Sequence, residues 1–450
     1  MSGIDPAGRY GSPMTEPNRR MLGALASTVA VAVIAGTALW MPSGSLAGTG
    51  RTLNVPADYP RIADAIAASS PGDVILLAAG TYPGDVEVPE GKGGITIRGV
   101  DRNTVIFDGE DARRNAIDVT ADGVTLENMT AHNFVGNGFY WDGVEGFAGR
   151  YLTVWNVGLY AIYTISSRNG VMEHSYASGA ADAAFYIGEC NPCDTVVRNV
   201  TAVRSAVGYS GTNAGGNLIV EDSRFENNSV GILPNSFEVG LEPPPQRDAI
   251  FRRNVVIGTG TVAVPRATPL GGFHGIGIGI LGGTGNLVED NEVTGSTRYG
   301  IAVFSAVDFT RQWVPSDNRI TGNRVAGSGT ADLALAGGTG AGNCFEDNEV
   351  GTVLPAGLSG CSTDGDGSPE FAEEIVIPPP RMLEGLPEAP PYSSMPAPPA
   401  QQTMPVESNQ PGRPGGDVAL LVWVAVSGGI ALALVGAVLF VLRRRTRTEP

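Results

Sequence analysis

One phrase recurs three times near the end of the folded part of this chain. It reads NLVEDNEVTGS from Asn286, NRITGNRVAGS from Asn318 and NCFEDNEVGT from Asn343. Units that repeat at intervals of about 20 to 50 residues bury their apolar faces by stacking on their neighbours. The repetition therefore predicts a solenoid in which each phrase belongs to one turn.

The frame apolar-x-x-Asn-x-apolar extends the repeat upstream, with Ser or His at two of the Asn positions. The aligned residues are His174, Asn199, Ser223, Asn254, Asn291, Asn323 and Asn348, at intervals of 25, 24, 31, 37, 32 and 25 residues. The longer intervals predict loops inserted on one face of the solenoid, where repeats usually accept insertions. The asparagines are predicted to form an internal ladder, because Asn tolerates left-handed turns and its amide can hydrogen-bond from turn to turn.

Short alternating runs separated by Gly, Asn and Asp fill residues 54–361 and predict many short strands. The exception is PADYPRIADAIAAS, where Pro60 can open a helix with Ile62 and Ile66 on one face. This helix is expected to cap the stack. The fold class is thus predicted to be all-β.

A known family shares these features. The segments DYPRIADAIAASSPGDVILLAAGTY, GVTLENMTA and YGIAVFSA resemble right-handed parallel β-helix repeat proteins of the pectate lyase-like superfamily, and the resemblance covers about residues 52–362. It implies a right-handed parallel β-helix. It does not imply one activity, because this fold hosts lyases, hydrolases, epimerases, adhesins and scaffolds.

The two chain ends predict export and a membrane anchor. Residues 1–47 resemble a secretory signal, with an apolar run behind Arg19 and Arg20 and a small-x-small site before Gly48; an uncleaved anchor is the alternative. Residues 417–442 are long and apolar enough to cross a bilayer, and the basic tail 443–450 is predicted to stay in the cytoplasm. The domain 48–362 would then lie outside a cell membrane as a single-pass protein.

Two compositional features complete this plan. Residues 363–416 hold 13 prolines in 54 positions, which predicts an extended stalk. The net charge of −17 argues against nucleic acid as a partner.

Four cysteines in an exported domain predict disulfides. Cys344 and Cys361 flank the last repeat, where a bridge would clip the open end of the stack. Cys190 and Cys193 form the motif CNPC, for which a redox or metal pair is the alternative.

Aromatic residues give the first candidate ligand site. Tyr140, Tyr163, Tyr186 and Tyr209 are each 23 residues apart, and apolar neighbours predict that the first three point outward. Successive turns lie about 4.8 Å apart, so the rings would line one face and could pack on sugar rings. The alternative is a ladder that only stacks on itself or lies beneath a loop.

Acidic residues near these tyrosines give weak catalytic candidates. Asp142, Asp182, Glu189 and Asp194 lie within or beside the same turns, with Arg198 just beyond. Hydrolysis needs an acid and a base, whereas a lyase or epimerase needs a base beside a uronate and could bind calcium. Arg198 would have to serve as that base, although arginine is almost always protonated. The segment GGFHGIGIGILGG around His274 resembles the GHG loop of polygalacturonases, but Phe273 interrupts that motif.

These observations leave three hypotheses open. The first is a surface module that binds a polysaccharide or cell-surface glycan through the tyrosines, with no cofactor. The second is a polysaccharide lyase, hydrolase or epimerase that uses Asp182, Glu189 or Asp194, and calcium if it is a lyase. The third is a structural surface protein.

Overall fold

Three parallel β-sheets wind around one core. The computed structural model describes residues 50–267, 273–308, 311–368 and 388–405. Within them, sheet I has 13 strands, and sheets II and III have 11 strands each. Strands that are consecutive in a sheet are about one turn apart in the chain, so the described residues form a parallel β-solenoid of about 13 turns. This confirms the predicted all-β solenoid.

The strands of each sheet are as follows. Sheet I contains Thr52–Val55, Val74–Leu77, Thr96–Gly99, Val124–Glu127, Glu145–Arg150, Arg168–Glu173, Thr195–Arg198, Gly215–Glu221, Arg247–Arg252, Leu287–Glu289, Arg319–Thr321, Cys344–Glu346 and Gly360–Cys361. Sheet II contains Val86–Val88, Ile117–Val119, Phe139–Asp142, Ile162–Ile165, Ala183–Gly188, Val207–Thr212, Val230–Asn235, Ile276–Leu281, Tyr299–Phe304, Ala331–Leu335 and Val353–Leu354. Sheet III contains Gly80–Pro83, Val105–Asp108, Thr130–Phe134, Thr153–Val157, Tyr176–Ala180, Thr201–Val203, Arg224–Glu226, Val255–Ile257, Glu292–Thr294, Arg324–Ala326 and Glu349–Val350.

Alternation within each strand builds the core. In a strand such as Val105–Asp108, alternate side chains point inward and are fully buried, while their neighbours face outward. Aromatic and branched residues fill the interior in this way from Leu53 to Phe345. Each turn buries its apolar side only against the turns above and below, as expected of a solenoid.

Both ends of the stack are closed. The helix Ile62–Ala68 buries Ile62, Ala65 and Ile66 against the first strands, which confirms the predicted cap. At the other end Gly360–Cys361 pairs antiparallel with Cys344–Glu346, and a disulfide joins Cys344 to Cys361. The predicted clip on the open end is therefore confirmed.

The asparagine ladder is confirmed in its later part. The side-chain amide of Asn254 donates to Oδ1 of Asn291 at 3.1 Å, that of Asn291 to Asn323 at 2.9 Å, and that of Asn323 to Asn348 at 3.0 Å. Each acceptor oxygen also takes the backbone N–H of the preceding ladder residue. These bonds satisfy buried polar groups at the corner between sheets I and III.

The prediction is wrong for Asn199 and His174, which both lie one residue before the ladder position. Each takes a left-handed φ of 51° and is exposed to solvent. Ser175 and Val200 occupy the ladder position instead, and hydroxyls such as Ser175 Oγ accept the backbone N–H from the turn below. The frame was displaced by one because Asn suits a left-handed corner as well as a ladder.

A second ladder lies at the corner between sheets II and I, and the sequence analysis did not identify it. Gln246 donates to Asn286, Asn286 to Asn318 and Asn318 to Asn343, at 2.8 to 2.9 Å between Nε2 or Nδ2 and Oδ1. All four side chains are buried. The asparagine that opens each repeated phrase is thus a ladder residue in its own right.

The long repeat intervals place loops on the outer face of sheet II. Phe237, Phe273 and Trp313 come from three such loops, and they pack on outward residues of sheet II such as Leu233 and Phe304. Part of the third loop is a hairpin of Ala306–Asp308 and Arg311–Trp313. The predicted insertion of loops on one face is therefore observed.

Part of the predicted stalk lies against the solenoid. Residues 388–405, here called the strap, include a short 3₁₀ helix at Tyr392–Ser394. Asn156 donates to the carbonyl of Met395, Asn103 exchanges two hydrogen bonds of 2.8 Å with the backbone of Gln401, and Asn128 accepts from Thr403 and the N–H of Met404. Met404 is buried. This stretch runs along sheet III.

The remaining sequence predictions for the chain ends fall elsewhere. The signal segment 1–47, the apolar segment 417–442 and the basic tail 443–450 lie outside the described residues. In the part of the chain that the structure describes, no helix has the length and apolarity needed to span a bilayer.

Replacing Asn291 by Ala is expected to lower the free energy of unfolding by about 3 kcal/mol, because it strands several buried donors and acceptors that each cost about 1 to 3 kcal/mol. Among these are the N–H of Asn254 and the carbonyl of Phe251. Urea denaturation of the purified protein measures the loss. Glu292→Ala, at the exposed neighbouring position, is the control and should change stability by less than about 0.5 kcal/mol. Equal effects of the two changes would contradict the ladder's structural role.

Candidate functional site

A continuous row of polar and aromatic residues lies on the outer face of sheet II. In-register pairing aligns Glu87 with Asp118, Asp118 with Tyr140, Tyr140 with Tyr163 and Tyr163 with Tyr186. We call these five residues the outer row. The outward placement of the three tyrosines agrees with the sequence prediction, since their neighbours Phe139, Trp141, Ile162, Phe185 and Ile187 are fully buried.

The tyrosine rings stack on one another along the solenoid axis. The centroids of Tyr140 and Tyr163 are 4.6 Å apart with a 10° angle between the rings. Tyr160, which the sequence analysis did not single out, stacks on Tyr163 at 4.4 Å and 16°. Tyr163 thus has parallel aromatic neighbours in Tyr140 and Tyr160. Its ring faces are engaged by other tyrosines, as in the self-stacking alternative, and mainly ring edges and hydroxyls remain for a ligand.

The two ends of the tyrosine stack differ. Tyr140 faces the turn of Asp118 on the side away from Tyr163, and it is half-buried. Tyr186 is only 6% exposed and belongs to the apolar cluster formed with the inserted loops, including Phe237. The open part of the outer row therefore runs from Glu87 to Tyr163.

The prediction that Tyr209 extends this row is wrong. Tyr209 is fully buried in the core and packs edge-on against Phe251, with 5.9 Å between ring centroids. The pairing explains the difference: Phe185 aligns with Tyr209 and Tyr186 with Ser210, so this turn is one residue longer than 23. A fixed interval of 23 residues consequently brings Tyr209 to an inward position.

Three carboxylates surround the tyrosine stack. Burial raises the pKa of Tyr163, and the negative charges of Asp142, Asp182 and Glu189 raise it further. Burial also raises the pKa of Tyr140, whose hydroxyl donates to Asp142 Oδ2 at 2.9 Å. The pKa of Tyr160 is raised by burial and then by the charge of Asp182, to which it is hydrogen-bonded. These phenols are accordingly protonated donors at neutral pH.

Asp182 and Glu189 lie beneath inserted loops. The N–H of Glu242 donates to Glu189 Oε2 at 2.9 Å, and Gly240 lies so close to this carboxylate that a Cβ would collide with it. Burial raises the pKa of Glu189 above its usual value. Beside Asp182, the N–H of Ala267 donates to the carbonyl of Ala181 at 2.6 Å. Asp142, by contrast, is exposed.

Spacing decides which carboxylates can act on one bond. Asp182 and Glu189 flank the strand Ala183–Gly188, so seven residue steps, or roughly 20 Å of extended chain, separate them. Acid and base in a glycosidase are at most about 10 Å apart. Asp142 aligns with Ile165 and Ile165 with Gly188, so Glu189 lies about two turns, or 10 Å, from Asp142. The compatible pair is Asp142 and Glu189.

The structure places Asp194 and Arg198 away from the tyrosines. Asp194 accepts from Asn217 Nδ2 at 2.8 Å at the corner before sheet I. Arg198 is on sheet I, where it contacts Glu173 at 2.7 Å. Burial alone would raise the pKa of Glu173, but hydrogen bonds from Arg198 and Arg150 lower it. The suggestion that Arg198 serves as a base beside the ladder is therefore wrong.

The other candidates have structural environments. Cys190 and Cys193 form a buried disulfide, which fits the disulfide prediction for CNPC. His274 is buried and its Nδ1 lies 3.0 Å from Ser229 Oγ. Among the described residues, no group of three or more His, Cys, Asp or Glu is arranged to hold a metal ion.

Comparison with known proteins identifies the type of fold. Residues 137–310, which include Tyr140, Tyr163 and Tyr186, match a family described as "right handed beta helix region". No curated protein matches the chain.

Several solved structures are similar at low identity. The A-module of mannuronan C-5 epimerase AlgE4 from Azotobacter vinelandii is 15% identical, covers 65% of this chain and 90% of its own, and has a TM-score of 0.42. An alginate lyase from Paenibacillus sp. str. FPU-7 is 14% identical over 67% of this chain and 99% of its own, with a TM-score of 0.44. The catalytic domain of a GH87 alpha-1,3-glucanase is 15% identical over 63% of this chain and 66% of its own, with a TM-score of 0.41.

The buried phenols give a prediction for alkaline pH. In an unfolded chain tyrosine ionises near pH 10, whereas burial raises the pKa values of Tyr140, Tyr160, Tyr163 and Tyr186 in the folded protein. Their burial therefore stabilises the fold fully below about pH 10, and this stability is lost as pH rises toward the folded-state pKa values. Phenolate absorbance should show a late-ionising group of tyrosines that loses one member in Tyr163→Phe. Identical titrations of folded and urea-unfolded protein would contradict this.

Proposed function

We propose that this protein recognises a glycan along the open part of the outer row, from Glu87 to Tyr163. The observation that carries the proposal is the in-register alignment of Asp118, Tyr140 and Tyr163 on one outer face, with Asp142 beside them. Phenol hydroxyls and carboxylates at the spacing of successive turns can hydrogen-bond to successive sugar hydroxyls. Carbohydrate sites combine such polar groups with an aromatic surface, which Tyr140 offers on the side of Asp118.

Binding is favoured over catalysis by the accessibility of the groups. Tyr140, Tyr163 and Asp118 are half-buried and Asp142 is exposed, so a chain of sugars can reach them without any movement of the protein. Glu189 is 5% exposed and is covered by the segment at Gly240. The groups that are open to solvent suit recognition.

We also propose that the solenoid acts outside the cell, held to the membrane by residues 417–442. Support comes from the sequence of both chain ends and from the pairing of all four cysteines in disulfides. Disulfides persist in oxidising, extracellular compartments. A glycan of the cell surface or its surroundings would then be within reach of the outer row.

Replacing Tyr140 by Ala is expected to weaken retention on the bound polysaccharide about tenfold, because it removes the outermost ring and the donor to Asp142. Affinity electrophoresis of the intact protein in gels that contain chitosan, soluble chitin, cellulose or alpha-glucan derivatives, polygalacturonate or alginate measures this retention.

Trp155→Ala is the matched control. Trp155 is a half-buried aromatic residue on sheet III, where it stacks on His132 with 4.6 Å between ring centroids. Its removal should leave retention within about twofold. If no polysaccharide retards the unmodified protein, or if both variants lose retention equally, recognition along the outer row is refuted.

The second candidate function is hydrolysis of a glycan. It is favoured by the spacing of Asp142 and Glu189 and by the raised pKa of Glu189, since a carboxyl that stays protonated can act as the general acid. The exposed Asp142 would activate water as the base. This reaction requires the segment at Gly240 to move away from Glu189.

The hydrolase candidate predicts that reducing ends are released from the polysaccharide that the protein retains. Asp142→Asn and Glu189→Gln should each lower the rate by a factor of about 100 or more, the usual contribution of a general acid or base. Asp194→Asn, at the sheet I corner, is the matched control and should keep the rate. Absence of reducing ends with the unmodified protein would eliminate hydrolysis and leave binding.

A further inference from the structure

Negative charge dominates the surroundings of the outer row. Glu87, Asp118, Asp142, Asp182 and Glu189 all lie on this face of sheet II or at its edges. Glu87 and Asp118 face each other in adjacent turns. Asp142 is next to Tyr140, while Asp182 and Glu189 act on Tyr163 from the two ends of the neighbouring strand.

Positive charge near the row is sparse and unevenly placed. Arg114 acts on Asp118 but is exposed, and Arg113 is shared between Asp85 and Glu110 at 3.8 Å. Arg266 belongs to the loop that contacts Ala181 beside Asp182, at the covered end of the row. The open part from Glu87 to Tyr163 thus presents exposed or half-buried carboxylates with Arg114 as the nearest cation that influences them.

The charge of a sugar chain then decides how well it fits. Two like charges 6 Å apart in water-like surroundings cost about a threefold loss of affinity, and two or three facing pairs together cost between roughly tenfold and thirtyfold. A chain of uronates carries one carboxylate for each sugar and meets this repulsion along the whole row. A chain of amino sugars gains attraction of the same order, and an uncharged chain gains neither.

We propose that the outer row selects glycans by charge: chains of amino sugars bind best, uncharged chains next and uronate chains worst. This inference rests on the proposed glycan recognition and names its substrate class. It also separates the protein from a binder of acidic polysaccharides, whose site would present cations to the sugar carboxylates.

The test compares charge states of one backbone. The polysaccharide that is retained most strongly by the unmodified protein is converted into its other charge forms. A hexosan is oxidised at its primary alcohols to the uronate, a uronan is methyl-esterified to remove its charge, and chitosan is N-acetylated. Affinity electrophoresis is run at low and high salt, with and without calcium.

The expected result is that every added carboxylate series weakens retention at least tenfold at low salt, and that free amino groups strengthen it. High salt should reduce both differences, because screening weakens interactions between exposed charges. Retention of a uronate form equal to or stronger than its uncharged form at low salt without calcium would overturn charge selection while glycan recognition stands. If no polysaccharide is retained, glycan recognition itself fails, and charge selection fails with it.

A variant locates the effect. Asp142→Asn removes one exposed charge and keeps an acceptor for Tyr140, so it should lower the preference for the amino form over the acetylated form about two- to fivefold. Glu292→Gln removes an exposed charge from sheet III and should leave the preference unchanged. Equal effects of the two variants would mean that overall charge, and not the outer row, sets the preference.

Discussion

Hydrogen bonding between successive turns is the constraint from which the other features of this molecule follow. Each backbone strand pairs in parallel with the strand one turn above and one turn below, so identical positions of successive turns align about 4.8 Å apart. At the corners, where strands end, buried amides continue the same contact through Asn254, Asn291 and Asn323. A side chain at any position is thereby placed directly above a side chain of the same type of position, and ladders of like residues become the natural means of stabilisation.

The same alignment explains the chemistry of the outer row. Tyrosines at equivalent positions must stack, because the spacing between turns is close to the thickness of two aromatic rings in contact. Stacking engages their faces and leaves hydroxyls and ring edges outward. Carboxylates at equivalent positions face one another for the same reason, as Glu87 and Asp118 do, and burial raises the pKa of Asp118 before the neighbouring charge of Glu87 adds to it. Aromatic order and electrostatic bias on this face have one common origin.

Sequence reasoning reached the solenoid, its helical cap, its terminal disulfide and the face that carries the loops, since all of these depend on periodicity, which is written along the chain. It failed where a single residue changes the outcome. One additional residue between Tyr186 and Tyr209 turned Tyr209 into the core, and Asn199 proved to be a corner residue next to the ladder position. Tyr160 was missed because it lies in a corner outside the strand period, and only the folded structure brings its ring onto Tyr163. The covering of Glu189 depends on a loop contact 53 residues away in the chain, which periodicity cannot indicate.

The strap changes how the solenoid would respond to force. The chain leaves the last turns near Ser368, yet Gln401 and Met404 are bound to Asn103 and Asn128, in the third and fourth turns from the other end. Tension applied to the chain beyond Pro405 is therefore transmitted first to these early turns and to the strap's own contacts. The terminal turn at Cys361, from which a solenoid pulled by its end would begin to unwind, is relieved of that load.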